Sequence, residues 1–469
     1  MMKQNIFYGM LSLFIVGTSQ LYAEKPNIIL IVLDDAGYGD FSCYDSTHLK
    51  TPRIDLLRSE GMKFNNFYAG STVCAPSRCV LMTGQHSGHC RVRGNKPGAL
   101  LSEDVTIAEV LKRAGYKTAC IGKWGIGADL PLDDPSRNGF DEFFGYISMW
   151  HAHNFYPEFL IQNGTKFPLR NVVMEQWKQN DGRGVATQKV DYVPEILTQR
   201  VLSYIDEIKS EPFFLYYALN VPHANNEGGR YNESPEKGME VPDFGPYADQ
   251  AWPGPEKGFA AMMRNIDLAV GEILDQLLLS GIDEETVVLI TSDNGPHQEG
   301  GHKMEFFDSN GPLRGMKRDL YEGGIRVPLL VRWPGHIKPM SETNLISAFQ
   351  DFLPTFAEIA EVGTPENIDG ISFAPTLLGK TEQRKHDFLY WEFTEQGGKR
   401  AIRKGDWKLV QTDVSKQNSN KPELYNLKSD LSETTNLASK HLDVVSKMTI
   451  LMDQAHQENK AFPLFSSEH

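Results

Sequence analysis

Residues 27–40 read NIILIVLDDAGYGD, six consecutive branched aliphatic residues (Ile28 to Leu33) that run directly into the paired carboxylates Asp34 and Asp35. A strand apolar at odd and even positions alike buries both of its faces, as an inner strand of a helix-covered, mainly parallel sheet does. The same design returns in TVVLITSDNG, residues 286–295, where Val287 to Thr291 precede Asp293, Asn294 and Gly295. Ligands of open α/β sheets bind beyond the carboxyl ends of the strands, so the sequence predicts both acidic clusters at one functional edge.

Working outward, TIAEVLKRAGYKTACIGKWG (106–125) predicts an amphipathic helix ending at Gly115 and then a short strand. PFFLYYALNVPH (212–223) is another apolar strand leading to His223, and Phe259 to Leu279 carries helical spacing that stops at Gly281. The alternation implies an α/β fold, a large, mainly parallel sheet sandwiched by helices. From Ser372 the pattern changes to short strand-like pieces, FLYWEF, RAIRKGDWKLV and PELYNL, followed by a helical stretch. These predict a smaller C-terminal antiparallel sheet with a packed helix, and hence a catalytic domain over 24–371 and a subdomain over 372–469.

The chain has 469 residues, 40% of them hydrophobic, and a net charge of -14. That acidic balance excludes a nucleic-acid binder that works by displacing counterions from phosphates. Residues 1–23, a lysine followed by an apolar run and then small residues up to Ala23, are expected to be a cleaved secretory signal. The predicted location is therefore periplasmic or secreted, with no stable membrane insertion. Five cysteines, Cys43, Cys74, Cys79, Cys90 and Cys120, leave at least one thiol unpaired, and no CxxC pair suggests zinc.

The segment Cys74-Ala75-Pro76-Ser77-Arg78, followed by CVLMTG, resembles the C-x-P-S-R motif of the type I sulfatases. Further blocks similar to that family follow in order: Asp34-Asp35, Gly122-Lys123-Trp124, Pro222-His223, Ser292-Asp293-Asn294-Gly295, Leu313-Arg314-Gly315-Met316-Lys317 and Glu322-Gly323-Gly324. The resemblance spans nearly the whole mature chain and implies the alkaline-phosphatase-like sulfatase fold. It also implies that a formylglycine-generating enzyme oxidises Cys74, on the unfolded chain, to formylglycine. One hydroxyl of the hydrated aldehyde would attack sulfur, and the second would let the sulfated intermediate expel sulfate and regenerate the aldehyde.

Asp34, Asp35, Asp293 and Asn294 offer the all-oxygen donor set of a hard cation such as Ca2+. By resemblance, residue 74 completes that shell. Arg78 lies one helical turn beyond Cys74; by resemblance it orients the hydrate, Lys123 and Lys317 hold sulfate oxygens, and His223 protonates the departing alcohol. The sequence departs from the family at Gly125, in G-K-W-G-I-G, where many members place the histidine assigned to deprotonating the hydrate. His151, His153, His297 and His302 are the alternatives for that base. The blocks G-K-W-G, H-A-H-N-x-Y-P and N-G-P-L-R-G-x-K-R-D-L-Y-E-G-G resemble a bacterial subgroup of polysaccharide sulfatases. This implies a sulfated saccharide substrate, of galactose configuration with sulfate at O4, and His151, His153 and His302 lining the sugar entrance. Two alternatives keep the same motifs: a formylglycine-dependent phosphonate or phosphodiester hydrolase, and an inactive sugar-binding relative. A two-zinc phosphatase lacks its further aspartate and histidine motifs.

Overall fold

The computed structural model describes residues 25–44, 48–128, 130–178, 181–230, 234–416 and 419–468, so the expected leader lies outside the described residues. The aliphatic run forms the strand Asn27–Asp34, buried at every position. It sits near the middle of a ten-stranded sheet ordered Ser341–Thr343, Met62–Phe64, Leu329–Arg332, Thr286–Ser292, Asn27–Asp34, Phe213–Pro222, Lys117–Lys123, Glu142–Tyr146, Phe159–Gln162 and Thr165–Pro168. The strands from Thr286–Ser292 across to Glu142–Tyr146 run parallel. Antiparallel pairs flank them, at Leu329–Arg332 on one side and Phe159–Gln162 on the other.

Alternation along the central strand explains the layering. Ile28, Leu30 and Val32 face one core with residues of the helices Cys74–Thr83, Ile107–Arg113 and Phe352–Ile359. Ile29, Ile31 and Leu33 face the opposite core with residues of Pro52–Ser59, Val193–Ile208 and Gly254–Ser280. The helix expected after Thr106 starts there through a capping box, Thr106 Oγ1 accepting from Glu109 N at 3.2 Å and Glu109 Oε2 accepting from Thr106 N at 2.8 Å. The long helix Gly254–Ser280 ends where the sequence predicts, at Gly281 with φ +72°.

A four-stranded antiparallel sheet, Leu389–Phe393, Lys399–Lys404, Trp407–Thr412 and Glu423–Asn426, forms the C-terminal layer. Trp391, Ala401 and Val410 point to one face and pack with Tyr68, Leu320 and Ile325 of the large layer. Tyr390, Ile402, Leu409 and Leu424 point to the other, against Met448 and Met452 of the helix Leu442–Ala455.

Charge as well as apolar area fastens this sheet. Lys408 Nζ, fully enclosed, lies 2.8 Å from Glu322 Oε1 and 3.0 Å from Glu433 Oε1. Glu322 also accepts from Tyr68 and pairs with Arg326 at 3.0 Å. Removing the shared cation leaves Glu433 buried without its counter-charge and Glu322 with Arg326 in its place. Lys408→Ala is therefore expected to lower stability by about 3–5 kcal/mol, measurable as a lowered thermal unfolding midpoint; an unchanged midpoint would remove this cluster from the account of how the sheet is held.

Candidate active site

The two acidic strand ends are stitched together by their own backbones. Asp293 N donates to Leu33 O at 3.0 Å, Asp35 N donates to Asp293 Oδ1 at 3.2 Å, and Asn294 Nδ2 donates to Asp35 Oδ1 at 2.7 Å. Asp35 adopts φ +70°, a left-handed conformation costly for a residue with a Cβ and found where function demands a direction. Gly295 allows the turn after Asp293 to lie against the next motif, because a Cβ there would stand 1.8 Å from Gly323 O.

Cys74 opens the helix Cys74–Thr83 and is buried at its amino end. Ser77 Oγ accepts from Gly70 N at 3.1 Å, fixing the loop that leads into the helix. One turn on, Arg78 is entirely enclosed. Its Nε lies 2.9 Å and its Nη2 2.8 Å from Asp293 Oδ2, and Nη1 donates to Lys123 O at 2.7 Å and Tyr216 Oη at 3.1 Å. Lys123, at the end of its strand, places Nζ 2.7 Å from Asp34 Oδ2. Lys317 Nζ lies 2.8 Å from Asp35 Oδ2, 3.2 Å from Glu299 Oε2 and 2.9 Å from His223 Nε2.

Burial alone would raise the Asp34 carboxyl, but the cations Lys123, Arg78 and Lys317 outweigh it and hold it well below the usual range. Asp35 is lowered as well: burial opposes, and the Lys317 charge prevails. Asp293 goes the other way, pushed up to about 7 by burial and by the Asp34 charge despite Arg78 and Lys123. Burial and Lys317 press His223 down to about 3, so it is neutral. Its Nδ1 donates to Ala224 O at 2.7 Å, which leaves Nε2 to accept from Lys317.

The donor chemistry fits a hard cation. The cluster holds three carboxylates and an amide oxygen, and Asp34 Oδ1 and Asn294 Oδ1 are buried with no hydrogen-bond partner. Asp34, Asp35 and His223 together can bring ligand atoms within 4.8 Å of one another.

The four histidines separate by packing. His153 stacks on His223, ring centroids 4.8 Å apart. His297 flanks His223 on a centroid distance of 5.8 Å, but both its ring nitrogens are engaged, with Pro222 O and Glu299 N, each at 3.0 Å. His302 is enclosed behind it, flat on Phe259 at 4.0 Å and bonded to Glu256 at 2.6 Å. His151 is turned into the protein, its Nε2 on Phe159 O at 3.0 Å. The hydrogen-bond partner of the Cys74 thiol is Asn95 Oδ1, at 3.9 Å. Asn95 and Glu299 were not among the residues expected from the sequence; the only signal for Glu299 was its place between the two histidines of GPHQEGGH. A cleft of about 780 Å³ bordered by Arg91, Glu103, Asn367 and Lys460 includes none of these side chains.

A family model described as Sulfatase matches residues 26–362, and one described as N-sulphoglucosamine sulphohydrolase, C-terminal, matches residues 315–458. The chain is 29% identical to the N-acetylgalactosamine-6-O-sulfatase of Bacteroides thetaiotaomicron, over 92% of this chain and 93% of the relative. It is 33% identical to arylsulfatase A of Homo sapiens, over 82% of this chain and 75% of that one. The crystal structure of Ps i-CgsB in complex with k-i-k-neocarrahexaose superposes with a TM-score of 0.77 at 26% identity, covering 92% of this chain and 94% of that chain. The fold and these likenesses define a sulfuric ester hydrolase. The chain belongs to the sulfatase family.

Arg78 contacts Asp293, Lys123 and Tyr216 through a rigid fork that a lysine cannot reproduce. Arg78→Lys is expected to lower kcat/KM by about a hundredfold or more, checked by sulfate-release kinetics on protein of verified fold; near-normal kinetics would dissociate Arg78 from the chemistry.

Proposed function

We propose that this protein removes sulfate from a sulfated carbohydrate of galactose configuration, using a formylglycine made from Cys74 and a calcium ion. The observation that carries the reading is the convergence of Cys74, three carboxylates and three enclosed cations at the carboxyl edge of one sheet. Converted to formylglycine, residue 74 supplies a hydrated aldehyde whose hydroxyl is the nucleophile. Asp34, Asp35, Asp293 and Asn294 would hold calcium, which supplies positive charge to the sulfate oxygens and lowers the pKa of the attacking hydroxyl.

The chain's own residues do the rest. Arg78, anchored on Asp293, orients residue 74. Lys123 and Lys317 bind sulfate oxygens and neutralise their charge in a site that excludes water. Neutral His223 and Lys317 hold a proton between Nε2 and Nζ, the pair best situated to pass it to the departing alcohol oxygen. Burial of Cys74 in the folded protein, 3% exposed, supports its modification before folding by a formylglycine-generating enzyme.

The carbohydrate substrate is supported by the names of the relatives, two of which specify galactosamine sulfates or a carrageenan-type oligosaccharide in their own proteins. The sequence expectation is a 4-O-sulfate, whereas the Bacteroides relative is named for the 6-O position, so both isomers belong in the assay. The reading includes export through residues 1–23 to the periplasm or beyond; among the described residues no helix is long and apolar enough to cross a membrane. It also keeps the division at 371/372, with the antiparallel sheet beginning at Leu389 inside the second part.

Peptide mass analysis of residue 74 from the native host should show the thiol replaced by an aldehyde, and Cys74→Ala should abolish sulfate release with the fold intact. Faster turnover of phosphonate or phosphate diesters than of sulfated galactose and galactosamine would favour the phosphorus hydrolase; unmodified Cys74 with no sulfate released would favour the inactive relative. Calcium is expected to raise the unfolding temperature of the wild type, by the equivalent of about 2.7 kcal/mol at about 100 times Kd. Asp35→Asn should remove that rise, and an equal rise in the variant would place the ion elsewhere.

A further inference from the structure

Lys317 and Arg318 are consecutive, yet both side chains end on one carboxylate. Glu299 Oε2 lies 3.2 Å from Lys317 Nζ, and Glu299 Oε1 lies 2.7 Å from Arg318 Nη2. Neighbouring side chains of extended backbone point to opposite sides. Arg318 instead has φ +79°, a turn at which the two converge. Its backbone is tied at both ends, Arg318 N donating to Thr72 O at 3.0 Å and Lys399 Nζ donating to Arg318 O at 2.6 Å. A left-handed conformation at a residue with a Cβ is retained where the surroundings enforce it in this way.

Glu299 is fixed as firmly. Its N donates to His297 Nδ1 at 3.0 Å, and its carbonyl accepts from His302 N at 3.0 Å. Its Oε2 also stands 3.5 Å from His223 Nε2. The other carboxylate on Lys317 is Asp35, at 2.8 Å, which also accepts from Asn294 and is one of the four residues proposed to hold calcium. Glu299 is not among those four, so its charge stays directed at Lys317 and Arg318 whichever partner Asp35 takes. Sulfate recognition does not call for a carboxylate here: an anion beside Lys317 weakens the hold of that cation on a sulfate oxygen. Glu299 therefore serves another purpose.

We propose that Glu299 is the positioning residue of the proton-transfer pair, holding Lys317 Nζ against His223 Nε2 so that their shared proton stays directed at the departing alcohol oxygen. The inference rests on the assignment of that pair to the departing alcohol and deepens it. The alcohol oxygen keeps the electron pair of the broken S–O bond and takes the proton from the pair; Glu299 touches neither substrate nor reacting atoms. A donor displaced by about 1 Å loses on the order of a hundredfold in rate, which is the scale on which a Lys317 released from one of its two carboxylates would act. The loss has a signature. A sugar oxygen leaves as a strongly basic alkoxide unless it is protonated, whereas an acidic phenol leaves as its anion without help. Misplacing the pair therefore slows sugar sulfates and spares esters of acidic phenols.

The test compares the full-length wild type with Glu299→Gln, Glu299→Asp and His223→Ala, each with residue 74 converted and calcium present, and with circular dichroism and thermal unfolding reporting the fold separately. The substrates are N-acetylgalactosamine 4-sulfate and 6-sulfate, phenyl sulfate and 4-nitrophenyl sulfate. Glu299→Gln is expected to lower kcat on the sugar sulfates by about tenfold or more and on 4-nitrophenyl sulfate by less than about threefold, with phenyl sulfate between. KM should stay level or fall, because an anion beside the sulfate has been removed, and Glu299→Asp, which keeps the charge, should recover part of the loss. Equal losses on all esters, or no loss on the sugar sulfates, overturns the role of Glu299. His223→Ala separates the two readings: a graded loss there with none in Glu299→Gln leaves the proton-transfer pair standing and removes Glu299 from it, and no gradation in either variant removes the pair as well.

Discussion

Three carboxylates buried side by side, Asp34, Asp35 and Asp293, are the constraint on which the rest depends. Each would be driven to protonate by loss of water and by its neighbours. Arg78, Lys123 and Lys317 prevent this for Asp34 and Asp35, which stay far below the usual carboxylate range, but not for Asp293, pushed up to about 7. The chain's own cations thus leave the cluster short of positive charge, and the shortfall falls among oxygen atoms with no partner, Asp34 Oδ1 and Asn294 Oδ1. A site built to hold a cation has this form, because a complete set of internal partners would leave nothing to coordinate.

Those charges come from separate stretches of chain, so the fold must bring strand ends, a helix start and a loop to one point. The C-terminal sheet contributes by holding the stretches from behind. Trp391 Nε1 donates to Ala69 O at 2.9 Å, just before the loop that enters the Cys74 helix. Lys399 Nζ donates to Arg318 O at 2.6 Å, next to Lys317, and Glu395 Oε1 accepts from Asn95 N at 2.5 Å, steadying the residue that faces the Cys74 thiol. Lys408 grips Glu322 at 2.8 Å, beside the Gly323 carbonyl that crowds Gly295. A layer remote from the chemistry therefore fixes its backbone, which explains why antiparallel strands with no motif of their own accompany so charged a centre.

The parts legible in the sequence were those with period or with company. The runs at 28–33 and 287–291 are apolar at every position, so their place in the sheet interior follows from burial alone, and Thr106 with Glu109 announces a helix start. The flanks of the sheet were not legible, because short pieces such as Met62–Phe64 and Ser341–Thr343 carry no period long enough to give direction. Within the site, residue types suggested which groups would gather, but not the pairing of Lys123 with Asp34 and Lys317 with Asp35, which is set by strand register and loop course. The histidines show the limit most plainly. His151, His153, His297 and His302 lie in similar polar and aromatic stretches, and only the packing of Phe159, Phe259 and Glu256 sends two of the rings away from His223. Asn95 is a single residue without period or motif spacing, and long-range packing alone gives it meaning.

The glycine at 125 bears on how protons move through the site. Gly125 has φ +72°, and a Cβ there would stand 3.1 Å from Arg78 Cδ and 3.4 Å from Lys123 Cε. A side chain there would adopt a left-handed backbone conformation and press on the Arg78 stem, so glycine suits the close packing of Arg78 and Lys123 at the position where the family resemblance leads one to expect a histidine. Among the described residues, none of the four histidines expected as alternatives takes that place: His297 has both nitrogens committed, His302 and His151 face away, and His153 belongs to the stack on His223. Titratable side chains are instead concentrated around Lys317, where His223 and Glu299 both lie within 3.2 Å of its Nζ. Around Cys74 stand the Asn95 amide, the cations Lys123 and Lys317 and the carboxylates Asp34 and Asp293, and burial together with those carboxylates raises the thiol despite the two lysines. The histidine–lysine pair that can share a proton therefore stands on the Lys317 side of the site, where His223 Nε2 and Lys317 Nζ are 2.9 Å apart.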